Sequence, residues 1–227
     1  MGKRAVRKRA VIYIAVFFVV FVLICVFMYN DSNKEAIKLP SSEINEYNGS
    51  RLDSAFSFRE NSIKGVQYIN ITNYRLRIKG LVENSKEYSY VDILNYQPYK
   101  KVVKLNCVEG WSATALWEGM LINELFDEVK PLTAAKVIIF HAYDGYTVTY
   151  PVDYFTNKNI LLAYKMNNVT IPVERGFPFV LIAEDKWGYK WIKWITEIEF
   201  SDDLSYKGFW ESRGYSREGN LNESFLG

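Results

Sequence analysis

One cysteine, Cys107, is the side chain in this sequence best suited to hold a metal. It closes the apolar run "KVVKLNC" at residues 101–107, and the turn residues Glu109 and Gly110 follow it. A thiolate is a soft metal ligand, and a turn after a strand presents a side chain from a rigid base. The alternative is core packing, since free cysteine is among the most buried residue types. The residues around Cys107 leave both interpretations open.

The rest of the composition excludes several other kinds of site. The chain has two cysteines and one histidine, so a metal centre built from His and Cys ligands cannot be assembled. A metal at Cys107 would therefore take most of its ligands from an organic cofactor. The sequence has no Gly-x-Ser-x-Gly elbow, no Walker loop and no Gly-x-Gly-x-x-Gly fingerprint. It also has no Cys-x-x-Cys-His motif for covalent haem.

The N-terminal region predicts a membrane anchor. Residues 1–10 are basic, and residues 11–29, "VIYIAVFFVVFVLICVFMY", contain no charged side chain. At about 1.5 Å per residue, a helix of this length nearly crosses a ~30 Å hydrocarbon core. The positive flank predicts a single-pass protein of the cell membrane, with a cytoplasmic N-terminus and an extracytoplasmic domain. Residues 30–58 are predicted to be a linker, and residues 59–227 the folded domain with a C-terminal tail.

Charge and cysteine content limit the partners of the predicted outer domain. Five of the 28 basic residues precede position 10, which leaves 23 against 26 acidic residues and a net charge of about −3. A basic face for nucleic acid is therefore not expected. Cys25 lies in the predicted anchor, so Cys107 has no disulfide partner within its own domain.

Strand patterns dominate the chain beyond the linker. In "YRLRIKG", residues 74–80, apolar and basic side chains alternate as in a half-buried strand. Asp144-Gly145 separates two β-rich runs and is a strong hairpin signal. Three further segments are predicted to be strands: "ILLAYKM", "FPFVLIA" and "YKWIKWITEIEF".

Two short helices are predicted among these strands. Ser89 can cap a helix that runs through Leu94. Apolar residues at positions 122, 125, 126 and 129 have the spacing of an amphipathic helix, which Pro131 ends. The pattern as a whole predicts a mixed, strand-rich α+β domain.

Several segments together resemble the sulfite oxidase superfamily of molybdopterin-dependent oxidoreductases, from about Phe58 to Tyr215. "LNCVEGW" is similar to the segment that carries the molybdenum-binding cysteine, and "LWEGMLINELF" resembles the family's Trp-x-Gly helix start. "YRLRIKG" resembles the family's first strand. "DGYTVTYP", "LLAYKMNN", "ERGFPFVL" and "WGYKWIKWITEIEF" follow in family order. The resemblance implies a sulfite-oxidase-type molybdopterin-binding fold and a molybdenum–molybdopterin cofactor.

The resemblance also implies roles for individual residues. Cys107 would ligate molybdenum beside the dithiolene of the pterin. Lys193 matches the family's phosphate-binding lysine, Trp191 and Ile192 would offer backbone contacts, and Lys190 is a second candidate. The alternative for Lys193 is an outward-facing strand lysine.

Four more residues are candidates by the same resemblance. Asn61 aligns with a stretch that touches the cofactor, and Arg59 would face the substrate, although both could belong to a solvated loop. His141 lies near a position that contacts the cofactor, and a strand histidine with satisfied hydrogen bonds is the alternative. Tyr206 in "SYKGFW" matches the family's active-site tyrosine and is the candidate hydrogen-bond donor to substrate, unless it only buries its ring.

Two positions depart from the family pattern. Arg175 stands where the family has His or Asn before Gly-x-Pro, and Val180 stands where it has an arginine. We therefore expect Arg175 to supply the missing contact to the cofactor phosphate.

These observations predict a membrane-anchored molybdenum oxidoreductase that transfers an oxygen atom with two electrons. Reduction of an S- or N-oxide is favoured over sulfite oxidation, because Val180 replaces an arginine and no room follows Tyr215 for a second domain. Without haem or flavin motifs, electrons would be exchanged with a separate protein, such as one bound to the membrane. The alternative is a cofactor-free extracytoplasmic binding or sensory domain on the same fold.

Overall fold

The fold is described from a computed structural model that covers residues 42–57, 59–156 and 158–227. The predicted basic segment and transmembrane helix at 1–29, and residues 30–41 and 58 of the predicted linker, lie outside these residues. None of the helices within them is long and apolar enough to cross a membrane. The strands are β1 Glu46–Tyr47, β2 Ser50–Arg51, β3 Leu76–Gly80, β4 Lys86–Tyr88, β5 Tyr99–Asn106, β6 Ser112–Leu121, β7 Val137–Ala142, β8 Thr147–Pro151, β9 Leu161–Met166, β10 Val169–Thr170, β11 Val180–Ile182 and β12 Ile195–Ser201.

The first of two five-stranded sheets in this part of the chain has the order β10-β9-β6-β5, with β11 also paired to β9. All of its pairs are antiparallel. β6 is buried along most of its length, as expected for a strand covered on both faces. Its register against β9 shifts at Gly119, where an added Cβ would lie 2.2 Å from the carbonyl oxygen of Leu162. Only glycine permits this close approach of the two backbones.

The second sheet has the order β4-β3-β12-β7-β8. β3 and β12 are parallel, and the other pairs are antiparallel. The predicted alternation in β3 is confirmed, because Leu76 and Ile78 are buried while Arg77 and Lys79 are exposed. β7 and β8 form the predicted hairpin around Asp144-Gly145.

In the described part of the chain, three short α-helices connect the strands: α1 Tyr90–Leu94, α2 Ile122–Val129 and α3 Asp153–Thr156. The predicted cap of α1 is confirmed, since Ser89 and Asp92 form a reciprocal capping box. α2 buries all four of the apolar residues that predicted it, and it ends at the left-handed residue Lys130, directly before Pro131.

The segment predicted as one strand from "YKWIKWITEIEF" is interrupted. Gly188–Lys190 is a 3-10 helix, and β12 begins only at Ile195. The backbone N–H groups of Trp191 and Ile192 turn back to the carbonyls of Gly188 and Lys190. Trp194 then takes a φ of 56°, which no strand residue adopts. These turns carry the segment off the sheet and along the cavity described below.

Residues 42–57, which belong to the predicted linker, include two side chains that are buried, those of Leu52 and Ala55. Glu43 holds this stretch in place by accepting hydrogen bonds from Ser54 Oγ at 2.8 Å and from Asn167 Nδ2 at 3.0 Å. The order of this segment could not be predicted from its polar composition, because hydrogen bonds hold it in place and not a large apolar surface.

Candidate active site

A cavity of about 490 Å³ lies where the turn after β5, the loop before β3 and the segment before β12 converge. Its volume is in the ordinary range for small-molecule sites, about 300–1,000 Å³. Six of the residues singled out from the sequence line it: Arg59, Asn61, Cys107, Arg175, Trp191 and Lys193.

A tight turn sets the direction of Cys107. The Cys107 N–H donates to the Trp111 carbonyl at 2.9 Å, and the Gly110 N–H donates to the Cys107 carbonyl at 3.1 Å. The thiol lines the cavity while its residue is only 9% exposed. Asn61 Nδ2 lies 3.7 Å from Sγ, so one side chain already donates towards the sulfur. Cys107 thus ends a strand and faces a cavity, and it is not enclosed by aliphatic packing alone.

The charge state of Cys107 depends on opposing influences. Burial raises the pKa of the thiol, and the Glu109 carboxylate acts in the same direction. The backbone N–H of Glu109, the Arg59 guanidinium and the Asn61 amide oppose this effect. A positive metal ion would favour the thiolate more strongly than any of these groups.

An ion pair lies beside the cysteine turn. Arg59 Nη1 is 3.2 Å from Glu109 Oε2, and Trp111 Nε1 donates to the same oxygen at 3.2 Å. The hydrogen bond from Trp111, followed by those from Asn61 and Arg59, lowers the pKa of Glu109. Glu109 is therefore an anion at neutral pH and covers the charge of Arg59.

A second cationic region lies around Lys193. Its Nζ contacts Glu60 Oε1 at 2.7 Å and the Glu174 carbonyl at 3.1 Å, and it lies 4.0 Å from the centre of a Trp194 ring. Burial lowers the pKa of Lys193, and the carboxylate of Glu60 opposes this shift. Gly176 permits the packing, because its φ is +117° and an added Cβ would lie 2.4 Å from Cβ of Lys193.

Arg175 holds the loop that carries Arg59. Its Nε donates to the Ala55 carbonyl at 2.9 Å, and its Nη1 donates to the Arg59 carbonyl at 2.8 Å. Burial lowers the pKa of this guanidinium, yet an arginine remains charged at neutral pH. The side chain thus connects the backbone at Ala55 and at Arg59 to the cavity wall near Gly176.

The C-terminal segment supplies an aromatic wall through Trp210 and Tyr215. It is held by a buried ion pair between Lys190 Nζ and Glu211 Oε1 at 2.7 Å, whose side chains are 0% and 1% exposed. Glu211 Oε2 also accepts hydrogen bonds from the Gly208 N–H at 2.7 Å and from Thr149 Oγ1 at 2.6 Å.

Four predicted site residues do not line the cavity. Lys190 is enclosed by Glu211 and two backbone carbonyls, and burial lowers its pKa to about 8. Ile192 packs in the core, and its backbone N–H is already bonded to the Lys190 carbonyl. Their contacts with a pterin phosphate therefore stay predictions from the family resemblance.

The other two lie elsewhere on the surface. His141 Nε2 is 3.1 Å from Glu199 Oε2, a contact between neighbouring strands β7 and β12. Tyr206 is half-buried in the turn after β12. Neither residue lines the cavity that Cys107 faces, and the roles that the family resemblance gives them stay predictions.

Sequence reasoning missed several residues that line the cavity. Glu109 and Trp111 were visible in the quoted cysteine segment but had no expected partner. Carboxylates and rings from distant parts of the chain carried no local signal, because long-range packing brings them together: Glu60, Asp144, Tyr146, Glu174, Tyr189, Trp210 and Tyr215.

The architecture is similar to that of a solved structure. The fold resembles the sulfane dehydrogenase SoxCD of Paracoccus pantotrophus, with a TM-score of 0.60 at 20% identity over 68% of this chain. The chain spans 43% of that structure's length. The fold is thus the strand-rich, mixed type found in sulfite oxidase relatives.

The family follows from sequence. The profile described as "Oxidoreductase molybdopterin binding domain" matches residues 63–210, and the chain belongs to this family. An uncharacterized oxidoreductase of Bacillus subtilis, YuiH, is 30% identical over 67% of this chain and 77% of its own. The methionine-sulfoxide reductase catalytic subunit MsrP of Campylobacter jejuni is 27% identical over 84% of this chain and 69% of its own. A putative methionine-sulfoxide reductase subunit of Azospira oryzae, YedZ1, is 28% identical over 66% of this chain and 57% of its own.

The protein is therefore an enzyme of the sulfite oxidase superfamily, and its cofactor is molybdenum bound to molybdopterin. The cavity fits this group. Two side chains that line it, Ser62 and Trp117, each carry a buried polar atom, Oγ and Nε1, without a hydrogen-bond partner among the described residues. Such orphaned groups are rare and indicate a missing partner. A pterin, rich in ring nitrogens and oxygens, would supply acceptors to both.

Proposed function

We propose that this protein is a membrane-anchored molybdenum–molybdopterin enzyme that reduces an S- or N-oxide. The observation that carries the proposal is the Cys107 thiol, which faces a cavity with unpaired donors and no other thiol among its lining residues. The cofactor, when bound, supplies the two-electron oxygen-atom transfer.

The chain's own residues hold and surround that cofactor. Cys107 is the metal ligand, and Asn61 donates towards its sulfur and fixes the side chain. Lys193, which now contacts the carboxylate of Glu60, would bind the pterin phosphate. Ser62 and Trp117 donate to the pterin.

The choice of an oxide as substrate rests on two supports. Two relatives carry the name methionine-sulfoxide reductase, and Val180 lines the cavity where an arginine is usual in the sulfite oxidase pattern. Losing a guanidinium removes a binding group for an anion such as sulfite.

Electron supply and location complete the proposal. The name of MsrP describes a catalytic subunit, which supports a separate electron-transfer protein as the partner of this chain as well. The apolar stretch at 11–29 supports anchoring in the cell membrane, with the N-terminus cytoplasmic and the domain outside.

The alternative of a cofactor-free binding domain does not agree with the family of the chain, whose profile describes a molybdopterin-binding oxidoreductase domain. Purified protein tests the proposed reaction. We expect near-stoichiometric molybdenum and pterin, with reduction of sulfoxides or N-oxides by an artificial donor. Molybdenum-loaded protein that reduces neither kind of oxide would contradict the proposal.

Arg175→Ala is expected to lower the molybdopterin content of purified protein by about 10- to 100-fold. The substitution removes two hydrogen bonds that hold the loop at 55–59, and a cation from the cavity wall. Pterin fluorescence after oxidative release, scaled to protein mass, measures the loss. Arg77→Ala is the matched control, because Arg77 lies on β3 and does not line the cavity. Normal pterin content in Arg175→Ala would contradict a cofactor role for Arg175.

A further inference from the structure

The carboxylate of Glu109 lies two residues after the metal-binding cysteine, and no family role was assigned to it. The turn from Cys107 to Gly110 fixes its backbone, and Trp111 Nε1 fixes its side chain at 3.2 Å. Glu109 thus holds a negative charge in a defined place beside the reacting end of the cavity.

Arg59, the ion-pair partner of Glu109, is the most exposed cation of the cavity. The Arg59 side chain is 68% exposed and that of Glu109 is 45% exposed, so the pair lies at the mouth. The other two lining cations are enclosed, since Lys193 contacts Glu60 and Arg175 is bound to backbone carbonyls. Arg59 is therefore the cation that an incoming substrate meets first.

The charge balance of the wall leaves no free cation for an anionic substrate beside the cofactor. The described residues that line the cavity include four carboxylates, from Glu60, Glu109, Asp144 and Glu174, against the three cations named above. An oxyanion would have to displace Glu109 from Arg59 and would meet a net negative field. A neutral oxide carries no such penalty, and Trp111, Trp210 and Tyr215 offer apolar surface for its substituents.

We propose that Glu109 determines substrate specificity by masking Arg59, so that the site admits neutral S- or N-oxides and rejects oxyanions such as sulfite. The inference rests on the proposed function and deepens it. It predicts that removing the Glu109 charge alone turns the mouth cationic without changing its shape, because glutamine keeps an oxygen that accepts from Trp111.

Alkylation of Cys107 measures the charge around the thiol, and it does not require enzyme activity. In metal-free protein, iodoacetate and iodoacetamide both form a bond from the Cys107 sulfur to carbon with loss of iodide, but only iodoacetate is an anion. The ratio of their rates cancels the thiolate fraction and reports the potential at the mouth. Mass spectrometry of the Cys107 peptide keeps Cys25 from contributing.

Glu109→Gln is expected to raise the ratio of the iodoacetate rate to the iodoacetamide rate by about 3- to 10-fold. This is the effect expected when one negative charge, partly screened by salt, is removed near a surface. Arg59→Gln is expected to lower the ratio, and the double variant to return it to near the wild-type value. Glu87→Gln, which removes the same charge from an exposed position on β4, is the matched control and leaves the ratio unchanged. An unchanged ratio in Glu109→Gln would overturn the proposal.

The holoenzyme provides the second readout. Sulfite is expected to inhibit reduction of dimethyl sulfoxide at about 3- to 10-fold lower concentration in Glu109→Gln than in wild type. Equal inhibition of both enzymes would overturn the specificity role. If the purified protein lacks molybdenum or sulfoxide reduction, the proposed function fails, while the alkylation ratio still decides whether Glu109 masks Arg59.

Discussion

Cys107→Ser is expected to lower the turnover number for oxide reduction by at least ~100-fold. Mutation of a residue that only supports a metal ligand typically lowers metal affinity or activity by about 10- to 100-fold. Cys107 is the direct ligand in the proposed site, so a larger loss is expected. A serine hydroxyl is not ionised at neutral pH and offers hard oxygen in place of soft sulfur. The measurement is steady-state turnover with an artificial electron donor, scaled to the molybdenum content of each preparation.

The fold is expected to tolerate this change. Asn61 Nδ2 and the backbone N–H of Glu109 both point at the sulfur, so a hydroxyl at the same place keeps hydrogen-bond partners. Thermal unfolding of Cys107→Ser should therefore stay close to that of wild type. Cys25→Ser is the control for the loss of a thiol and should retain turnover. A Cys107→Ser enzyme with more than about a third of wild-type turnover would contradict the role of the sulfur.

Glu211→Ala is expected to lower the free energy of unfolding by about 3–5 kcal/mol. The change leaves the Lys190 ammonium buried without its counter-ion, and breaking one side of a buried pair typically has this cost. It also removes the acceptor for the Gly208 N–H and for Thr149 Oγ1. Urea unfolding followed by tryptophan fluorescence measures the difference.

An exposed ion pair provides the matched control for this prediction. Lys130 Nζ and Glu83 Oε2 are 3.6 Å apart, with side chains 62% and 55% exposed, so Glu83→Ala should cost no more than about 0.5 kcal/mol. Because Glu211 holds the segment that carries Trp210 and Tyr215, molybdopterin content should fall together with stability. A loss below about 1 kcal/mol in Glu211→Ala would show that the pair does not hold this segment.

Local patterns predicted much of the fold because their causes are local. The alternation in β3, the hairpin at Asp144-Gly145 and the capping box at Ser89 each depend on residues close together in the chain. The same holds for the placement of Cys107, which follows a regular strand and begins a tight turn. Such features are visible before any long-range contact is known.

The lysines of the "YKWIKW" segment show where such reasoning ends. Lys190 and Lys193 lie three residues apart, so strand alternation places them on opposite faces. It does not predict that Lys190 forms a buried ion pair while Lys193 lines a cavity. The segment contains a 3-10 helix and the positive φ of Trp194, so neither strand nor helix periodicity applies. The choice is made by Glu211 and Glu60, which come from distant parts of the chain.

The polar partners of the cavity were hidden for the same reason. The contact between Glu60 and Lys193 joins residues 133 positions apart in sequence. The ion pair of Arg59 with Glu109 could not be predicted from any local sequence pattern. The same is true of the hydrogen bonds from Arg175 to the carbonyls of residues 55 and 59. Their positions follow from tertiary packing, which residue spacing does not encode.

X-ray absorption at the molybdenum edge of the purified holoenzyme shows whether the Cys107 sulfur binds the metal. We expect sulfur scattering from the two dithiolene atoms and one further sulfur, and loss of that further sulfur in Cys107→Ser. The same sulfur count in wild type and Cys107→Ser, or an absorption edge without bound molybdenum, would contradict it.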